Sequence, residues 1–532
     1  MNVVRGQLAC FLATVQRAAP CALALLSLSA CSRASHPVAA PGALGGAPGT
    51  TPIDRVYSKT PSLSTALLGN FATGMALADI NGDGWLDMVA SNGNDVSPQP
   101  MNVYLNRRSK ERPFADKQYP SWYSADIAFR AGIAIGDVNG DGWLDVAVAI
   151  PTDLHCDSSK GGAALYMNRG GTLEQNPSWH TEDGYGATAV TFTDIDADGR
   201  LDLAVAVYGE GNRLGGCPPD GRTAGGHQRV YRNLDGTLEG SPSWKSEHPL
   251  PAAAVLAADV DQDGWMDLAF AGDTTQVFYG GKAQNAPPPL VPGWTSCKEG
   301  TACKKVIASY GIDAGWLGAQ ATGPLSLVVA TNCLAANPCR SALLFYDPGQ
   351  GTAPIQSFPV PENASQLALG DLNSDGVLDL VASRMGVTFS GAPLLFLQGP
   401  LLESPIPFST EPRTVGQGLA LGDTRQRALR EAARTFSASA PRAVFTLPER
   451  RIQAILGVER VRGGGAREAA RFAWAPGMNW ISLSSPLQPG ERLVVRYSLS
   501  RVLDVAAAVM TVSTPNCGNF VFYSNYQPRT GM

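Results

Sequence analysis

Asp137-Val-Asn-Gly-Asp-Gly-Trp-Leu-Asp145 places oxygen-bearing side chains at its first, third, fifth and ninth positions, and the pattern recurs along the chain. It returns as DINGDGWLD from Asp79, DIDADGRLD from Asp194, DVDQDGWMD from Asp259 and DLNSDGVLD from Asp371. Each copy follows an apolar run such as GMALA, AGIAI or AAAVLAA and precedes another, such as MVAS, VAVAI or LAVAV. Short apolar runs on both sides of a turn-forming segment predict a strand, a loop and a returning strand. A third strand is expected in NVYLN, AALYMN, RVYRN, QVFYG, LLFYD and LLFLQ, and a fourth around PSWYSAD, PSWHTED and PSWKSEH. Units of this length cannot bury their apolar faces alone, so the copies are expected to stack on one another.

Two further units keep the strands and lose the acids. GAQATGPLS, residues 318–326, stands in the loop position ahead of LVVAT, with no carboxylate to offer a cation. GLALGDTR reaches a loop at Asp423, but the returning VLDVAAAV begins only at Val502, so this unit carries an insertion. Loop starts at 79, 137, 194, 259, 318, 371 and 423 are separated by 52 to 65 residues. Seven regular units of four antiparallel strands predict an all-β fold, a seven-bladed β-propeller. The seventh unit has one strand before the insertion and two after it, with no room expected for a fourth. Residues 52–66, PIDRVYSKTPSLSTA, are similar to the fourth-strand segments and are expected to pair with blade seven, which would remove exposed sheet edges. The insertion, residues 425–501, has alternating strands in AVFTL, RIQAILGV, NWISL and RLVVRYSL and turns at Pro476-Gly477 and Pro489-Gly490, and reads as a small β-sandwich. Residues 51–424 then form blades one to six and the start of seven, and residues 502–532 complete it.

The composition agrees, because 58 Gly and 39 Pro with 16% charged residues suit short strands and turns rather than long helices or an acidic disordered chain. Residues 1–30 carry Arg5 and Arg17, no acid, and an apolar run from Cys21 to Ala30 that is too short to span a bilayer. Leu28-Ser29-Ala30-Cys31 resembles the bacterial lipobox, which makes Cys31 the expected lipidated N-terminus of an exported protein at the outer membrane or cell surface. Residues 31–50, rich in Ala, Pro and Gly, are expected to be a flexible tether.

The recurring loop has a chemical reading. Ca²⁺ takes six to eight oxygens at about 2.3 to 2.6 Å in a loose geometry. Side-chain ligands are expected from Asp79, Asn81, Asp83 and Asp87; from Asp137, Asn139, Asp141 and Asp145; and from Asp194, Asp196, Asp198 and Asp202. Asp259, Asp261, Asp263 and Asp267, and Asp371, Asn373, Asp375 and Asp379, supply the other two sets. A backbone carbonyl at position seven is expected from Trp85, Trp143, Arg200, Trp265 and Val377. Asp, Asn and Gly are ordinary turn residues too, which would explain one loop and explains five poorly. Several carboxylates in one turn repel at about 1 kcal/mol or more per close pair unless a cation joins them. An EF-hand starts with the same letters, but its last acid is a Glu at position twelve and its flanks are helices. The residues instead resemble the FG-GAP/VCBS repeats of the integrin α-subunit head from about Pro52 onward, with a literal Gly391-Ala392-Pro393 in unit six. That resemblance implies structural calcium at about five sites and partner-binding loops on the face opposite the metal loops.

Seven cysteines follow Cys31, and export favours disulfides. Spacing suggests Cys297 with Cys303 and Cys333 with Cys339; Cys156 and Cys217 occupy equivalent loops, and Cys517 is left over. His155, Cys156, Cys217 and His227 could also form a zinc site, although a disulfide beside two surface histidines is the simpler expectation. The whole chain carries a net charge of −5, yet residues 425–501 hold 14 Arg and 5 Glu, with no Lys or Asp, for +9. That balance suits an anionic partner such as lipopolysaccharide, acidic glycan or a membrane surface, or equally a solvated basic surface in an Arg-rich chain. No HExxH motif, Ser-His-Asp order or paired Glu in an apolar pocket supports catalysis. The expectation is a monomeric binding or adhesion module for an extracellular protein or glycan, without nucleic acid; the alternative is a carbohydrate-active enzyme on the same scaffold.

Overall fold

Each acidic nonapeptide joins the first and second strands of a four-stranded antiparallel sheet. The computed structural model describes residues 51–65, 71–93, 97–151, 161–210, 225–296, 309–317, 323–331, 341–360, 363–385, 394–403, 405–411, 415–427, 429–510 and 519–526. Among these, sheet two shows the pattern: Ile133–Gly136, Asp145–Ile150, Gly162–Tyr166 and Trp179–His180 pair in chain order. Sheets one, three, four, five and six repeat it, beginning at Ala72, Gly186, Ala252, Ser309 and Asn363. Sheet seven comprises Val415–Gly422, Asp504–Met510 and Phe520–Phe522, and its outermost strand is Leu63–Ser64. The loop register is constant: Ala78 faces Asp87, Gly136 faces Asp145, Thr193 faces Asp202, Ala258 faces Asp267 and Gly370 faces Asp379. Gly315 with Ser326 and Gly422 with Asp504 take the same place in the two units that lack the motif.

The first strands touch one another from sheet to sheet, and that of sheet seven returns to that of sheet one. Strands covered on both faces read as continuous small apolar runs rather than alternating ones. Val146, Ala147, Val148 and Ala149 are all buried, as are Leu203 through Val207.

The segment at residues 52–66 closes the seventh sheet as expected. Leu63 faces Val521 and Ser64 faces Phe520, and Thr65 N–H donates to the Asn519 carbonyl at 3.0 Å. A short helix, Ile53–Val56, precedes it. Tyr57 stacks on Phe396 of sheet six with centroids 4.9 Å apart, and its hydroxyl donates to the Leu503 carbonyl of sheet seven at 2.5 Å.

The fourth-strand tryptophans have a use beyond packing. Trp122, Trp179, Trp244 and Trp294 donate their indole N–H to carbonyls of the next sheet, those of Leu173, Glu239, Pro288 and Gly351, at 3.0, 3.0, 2.9 and 2.7 Å. Trp244→Phe keeps a ring in the same buried slot and orphans the Pro288 carbonyl. Its expected cost is about 1–3 kcal/mol, read as a lower denaturant midpoint at unchanged slope; an unchanged midpoint would show that these bonds add nothing between sheets.

Between the first two strands of sheet seven the insertion forms two further sheets. One pairs Leu429–Ser437, Arg492–Ser500, Ile452–Val461 and Arg467–Ala469; the other pairs Arg442–Thr446, Trp480–Leu487 and Phe472–Ala473. Phe445, Ile452, Ile481, Leu483, Val495 and Tyr497 are buried in their shared core. Because the insertion leaves from the loop position, it lies on the face that carries the acidic nonapeptides. Gln262 donates to Thr446 Oγ1 at 3.1 Å, Gln284 donates to the Ser484 carbonyl at 2.7 Å, and Ser374 donates to the Arg501 carbonyl.

Candidate metal centres

The loops fold by satisfying backbone donors with their own carboxylates. In the loop from Asp137, the position-one carboxylate accepts the N–H groups of Asp141 and Gly142 at 3.1 and 2.9 Å. Asp141 accepts the Trp143 N–H at 2.9 Å. Asp145 accepts the Val138 N–H at 2.9 Å and, with its other oxygen, the Asn168 N–H at 2.8 Å. The same bonds to position nine recur at Asp87, Asp202, Asp267 and Asp379, between 2.7 and 3.0 Å. Position six requires glycine, because Gly84, Gly142, Gly199, Gly264 and Gly376 have φ of +80 to +95°. Position four is also left-handed, with Gly82 and Gly140 in two loops and Ala197, Gln262 and Ser374 in the others.

These turns gather carboxylates away from water. Burial pushes Asp87, Asp194 and Asp259 up to about 7, Asp145 and Asp371 to about 6, and Asp379 to about 8. Asp202 and Asp267 are raised well above the usual carboxylate range by burial and then by their acidic neighbours. Oxygens of Asp194, Asp196 and Asp202 lie within 4.8 Å of one another, as do those of Asp259, Asp261 and Asp267. Asp196 Oδ1 and Asp259 Oδ1 are buried with no hydrogen-bond partner. Converging oxygens, orphaned acceptors and mutual repulsion fit a divalent cation, so these acidic clusters could hold metal ions.

A consequence for pH follows in chelator. The unfolded chain releases these protons near the ordinary aspartate value of about 3.9, whereas the folded chain keeps them to about 6–8. The folded state therefore binds more protons in that window, and its stability falls as pH rises through it. Chelated protein is expected to melt higher at pH 5 than at pH 8; the opposite order would contradict the burial of these groups.

The copies are not equivalent. In sheet four, Arg442 of the insertion reaches Asp259 Oδ2 at 3.1 Å and packs where a side chain at Gly264 would have to go. In sheet seven, Asp423 and Asp504 occupy positions one and nine, and the guanidinium of Arg425 donates to Asp504 at 2.7 Å in place of a metal. In sheet five, Gly318–Thr322 lie outside the described residues, and Ser326 holds position nine. Cys31, the seven later cysteines, His155 and Gly391-Ala392-Pro393 also lie outside them. His227 is described: its Nδ1 pairs with the Ser246 carbonyl at 2.7 Å.

One set of residues escaped the sequence reading. Asn106, Asn168 and Asn233 end the third strands of sheets one to three and donate to the loop carbonyls of the preceding sheet, those of Thr424, Ile80 and Val138, at 2.8, 2.8 and 2.7 Å. The signal was the shared Tyr-x-Asn ending of NVYLN, ALYMN and RVYRN.

Two overlapping stretches, residues 79–148 and 137–205, match the FG-GAP-like repeat family. Over these residues the chain carries FG-GAP-like repeats, and together with its four-stranded sheets and loop geometry the similarities support an FG-GAP, integrin-α-like β-propeller. It is similar to Integrin alpha-IIb of Mus musculus, 28% identical over 155 residues, which is 26% of this chain and 15% of that one. It is also similar to Integrin alpha-3 of Cricetulus griseus, 34% identical over 115 residues, 20% of this chain and 11% of that one. The chain therefore spans only 11 to 15% of the length of these relatives. Among solved structures, the Neurospora crassa Pan2 WD40 domain matches with a TM-score of 0.36 and 10% identity, covering 66% of this chain and 84% of that one.

Proposed function

We propose that this is a seven-bladed, calcium-binding propeller that presents a binding surface to an extracellular protein or glycan. The seven sheets are its blades, the insertion is a β-sandwich, and lipid at Cys31 with the tether after it would hold the monomer at the outer membrane or cell surface. The observation that carries the reading is the acidic turn repeated in five blades with its carboxylates bonded to backbone N–H groups, and with carboxylate oxygens converging within 4.8 Å in blades three and four. Calcium suits an all-oxygen donor set, and its role is to stiffen the hairpins rather than to perform chemistry. A glycan array on the purified protein, followed by a turnover assay on any hit, tests the rest. Binding without product supports the module; depolymerised product would establish the carbohydrate-active alternative.

Blade four has a competitor built in. Arg442 already neutralises part of its cage, so a calcium titration should show this site as the weakest of the five. Arg442→Ala is expected to tighten it about tenfold, equivalent to about 1.4 kcal/mol. Unchanged affinities in calorimetry would mean that the guanidinium and the cation do not compete.

A further inference from the structure

The arginines of the insertion divide into two groups. Eight form ion pairs, and four of these reach propeller carboxylates: Arg425 on Asp504, Arg442 on Asp259, and Arg450 and Arg451 on the buried Asp313. The three propeller carboxylates offset three of the nine net charges, while the other pairs use glutamates of the insertion already counted in the +9. Five others, Arg430, Arg471, Arg492, Arg496 and Arg501, are exposed, and among the described residues their guanidiniums have no ion-pair or hydrogen-bond partner; of these, Arg430 and Arg501 line one cleft.

Strand register brings these two together. Arg430 faces Leu499 across the sheet, and Arg501 is two residues beyond Leu499. Arg501 directly follows Ser500, the last residue of the strand that holds Leu499, so both arginines lie at the same end of the sheet. That end forms one wall of a cleft of about 740 Å³ between the insertion and blades five and six. Trp316, Glu403 and the blade-six loop at Asp375 and Val377 also line it. The volume falls within the usual range for small-ligand sites. The axial channel, about 260 Å³, is a poorer candidate because Arg450 and Arg451 of the insertion line it and are tied to Asp313.

We infer that this cleft binds a carboxylate-bearing saccharide, with Arg430 and Arg501 gripping the carboxylate. Two neighbouring guanidiniums without internal partners match a planar carboxylate through paired N–H donors. The indole N–H of Trp316 is already used on the Gly323 carbonyl at 2.8 Å, so what the residue offers the cleft is its apolar ring. Such a ring suits the C–H face of a sugar, while exposed Glu403 can accept hydroxyl hydrogens. An anion site beside an apolar wall and a hydroxyl acceptor describes a sugar acid better than a free inorganic anion.

This inference rests on the binding-module reading, and the experiment separates the two. Full-length protein is titrated calorimetrically with tetragalacturonate and with its methyl-esterified form, in calcium. Saturable binding of the acid form alone is expected, weakened at least tenfold by Arg430→Ala and by Arg501→Ala. Arg492→Ala, at the far end of the same strand and directed to the opposite face, should change affinity less than twofold and serves as the control for diffuse charge. Equal weakening by Arg492→Ala, equal binding of the ester, or no binding overturns the cleft assignment. Array ligands that bind Arg430→Ala and Arg501→Ala as well as wild type would overturn it too, while leaving the binding module standing. Unchanged melting temperatures in the variants will show that the fold is intact.

Discussion

Protein stripped by a calcium chelator is expected to melt many degrees below the calcium-loaded form and to recover when calcium is restored. On the proposed reading each loop would bind cation in the folded chain and have no cage in the unfolded one, so each would add about 2.7 kcal/mol at a hundredfold excess over its Kd. The metal-free state is also handicapped from within, because Asp202 and Asp267 are fully buried beside other aspartates. Scanning calorimetry at pH 7.5 with calcium, with chelator and after recalcification measures the effect. A melting temperature indifferent to calcium would remove the metal from the scaffold and with it the reading of the five loops.

Replacing Arg425 should be comparably damaging without any metal being involved. Its guanidinium is buried and bonds Asp504 and the Ser524 carbonyl, while Asp504 is fully enclosed. Arg425→Met leaves that carboxylate without its cation, at an expected cost of about 3–5 kcal/mol. Arg425→Met combined with Asp504→Leu should recover most of the loss, since removing both charges is far gentler than removing one. Urea unfolding of the two variants provides the comparison; a single variant as stable as wild type would show that the pair does not substitute for a metal in blade seven.

What could be read in the sequence was whatever repeats. The nonapeptides, the four strands around each and the Trp of PSW return at nearly constant spacing, and Leu63–Ser64 was recognisable by its likeness to strands elsewhere. Asp504 was visible only as part of a displaced strand, because 80 residues separate it from Thr424, its hydroxyl partner. Arg442 on Asp259 bridges 183 residues and occurs once, so no period betrays it. The Arg-rich insertion looked like a solvated basic surface or an anion-binding one. Its guanidiniums proved to be divided among bonds to the propeller, bonds to the insertion's own glutamates and an exposed remainder of which Arg430 and Arg501 line one cleft, a division invisible to composition.

The donation of Leu63–Ser64 to the last sheet orders events in time as well as in space. Their partners, Phe520 and Val521, lie more than four hundred residues downstream, so the ring cannot shut until those residues have been made. Until then the opening residues wait with an unfilled edge at the other end of the growing arc. Removing Leu63–Ser64 or Phe520–Phe522 would therefore have the same outcome, an open arc in place of a ring. These two strands, more than four hundred residues apart, behave as one structural element.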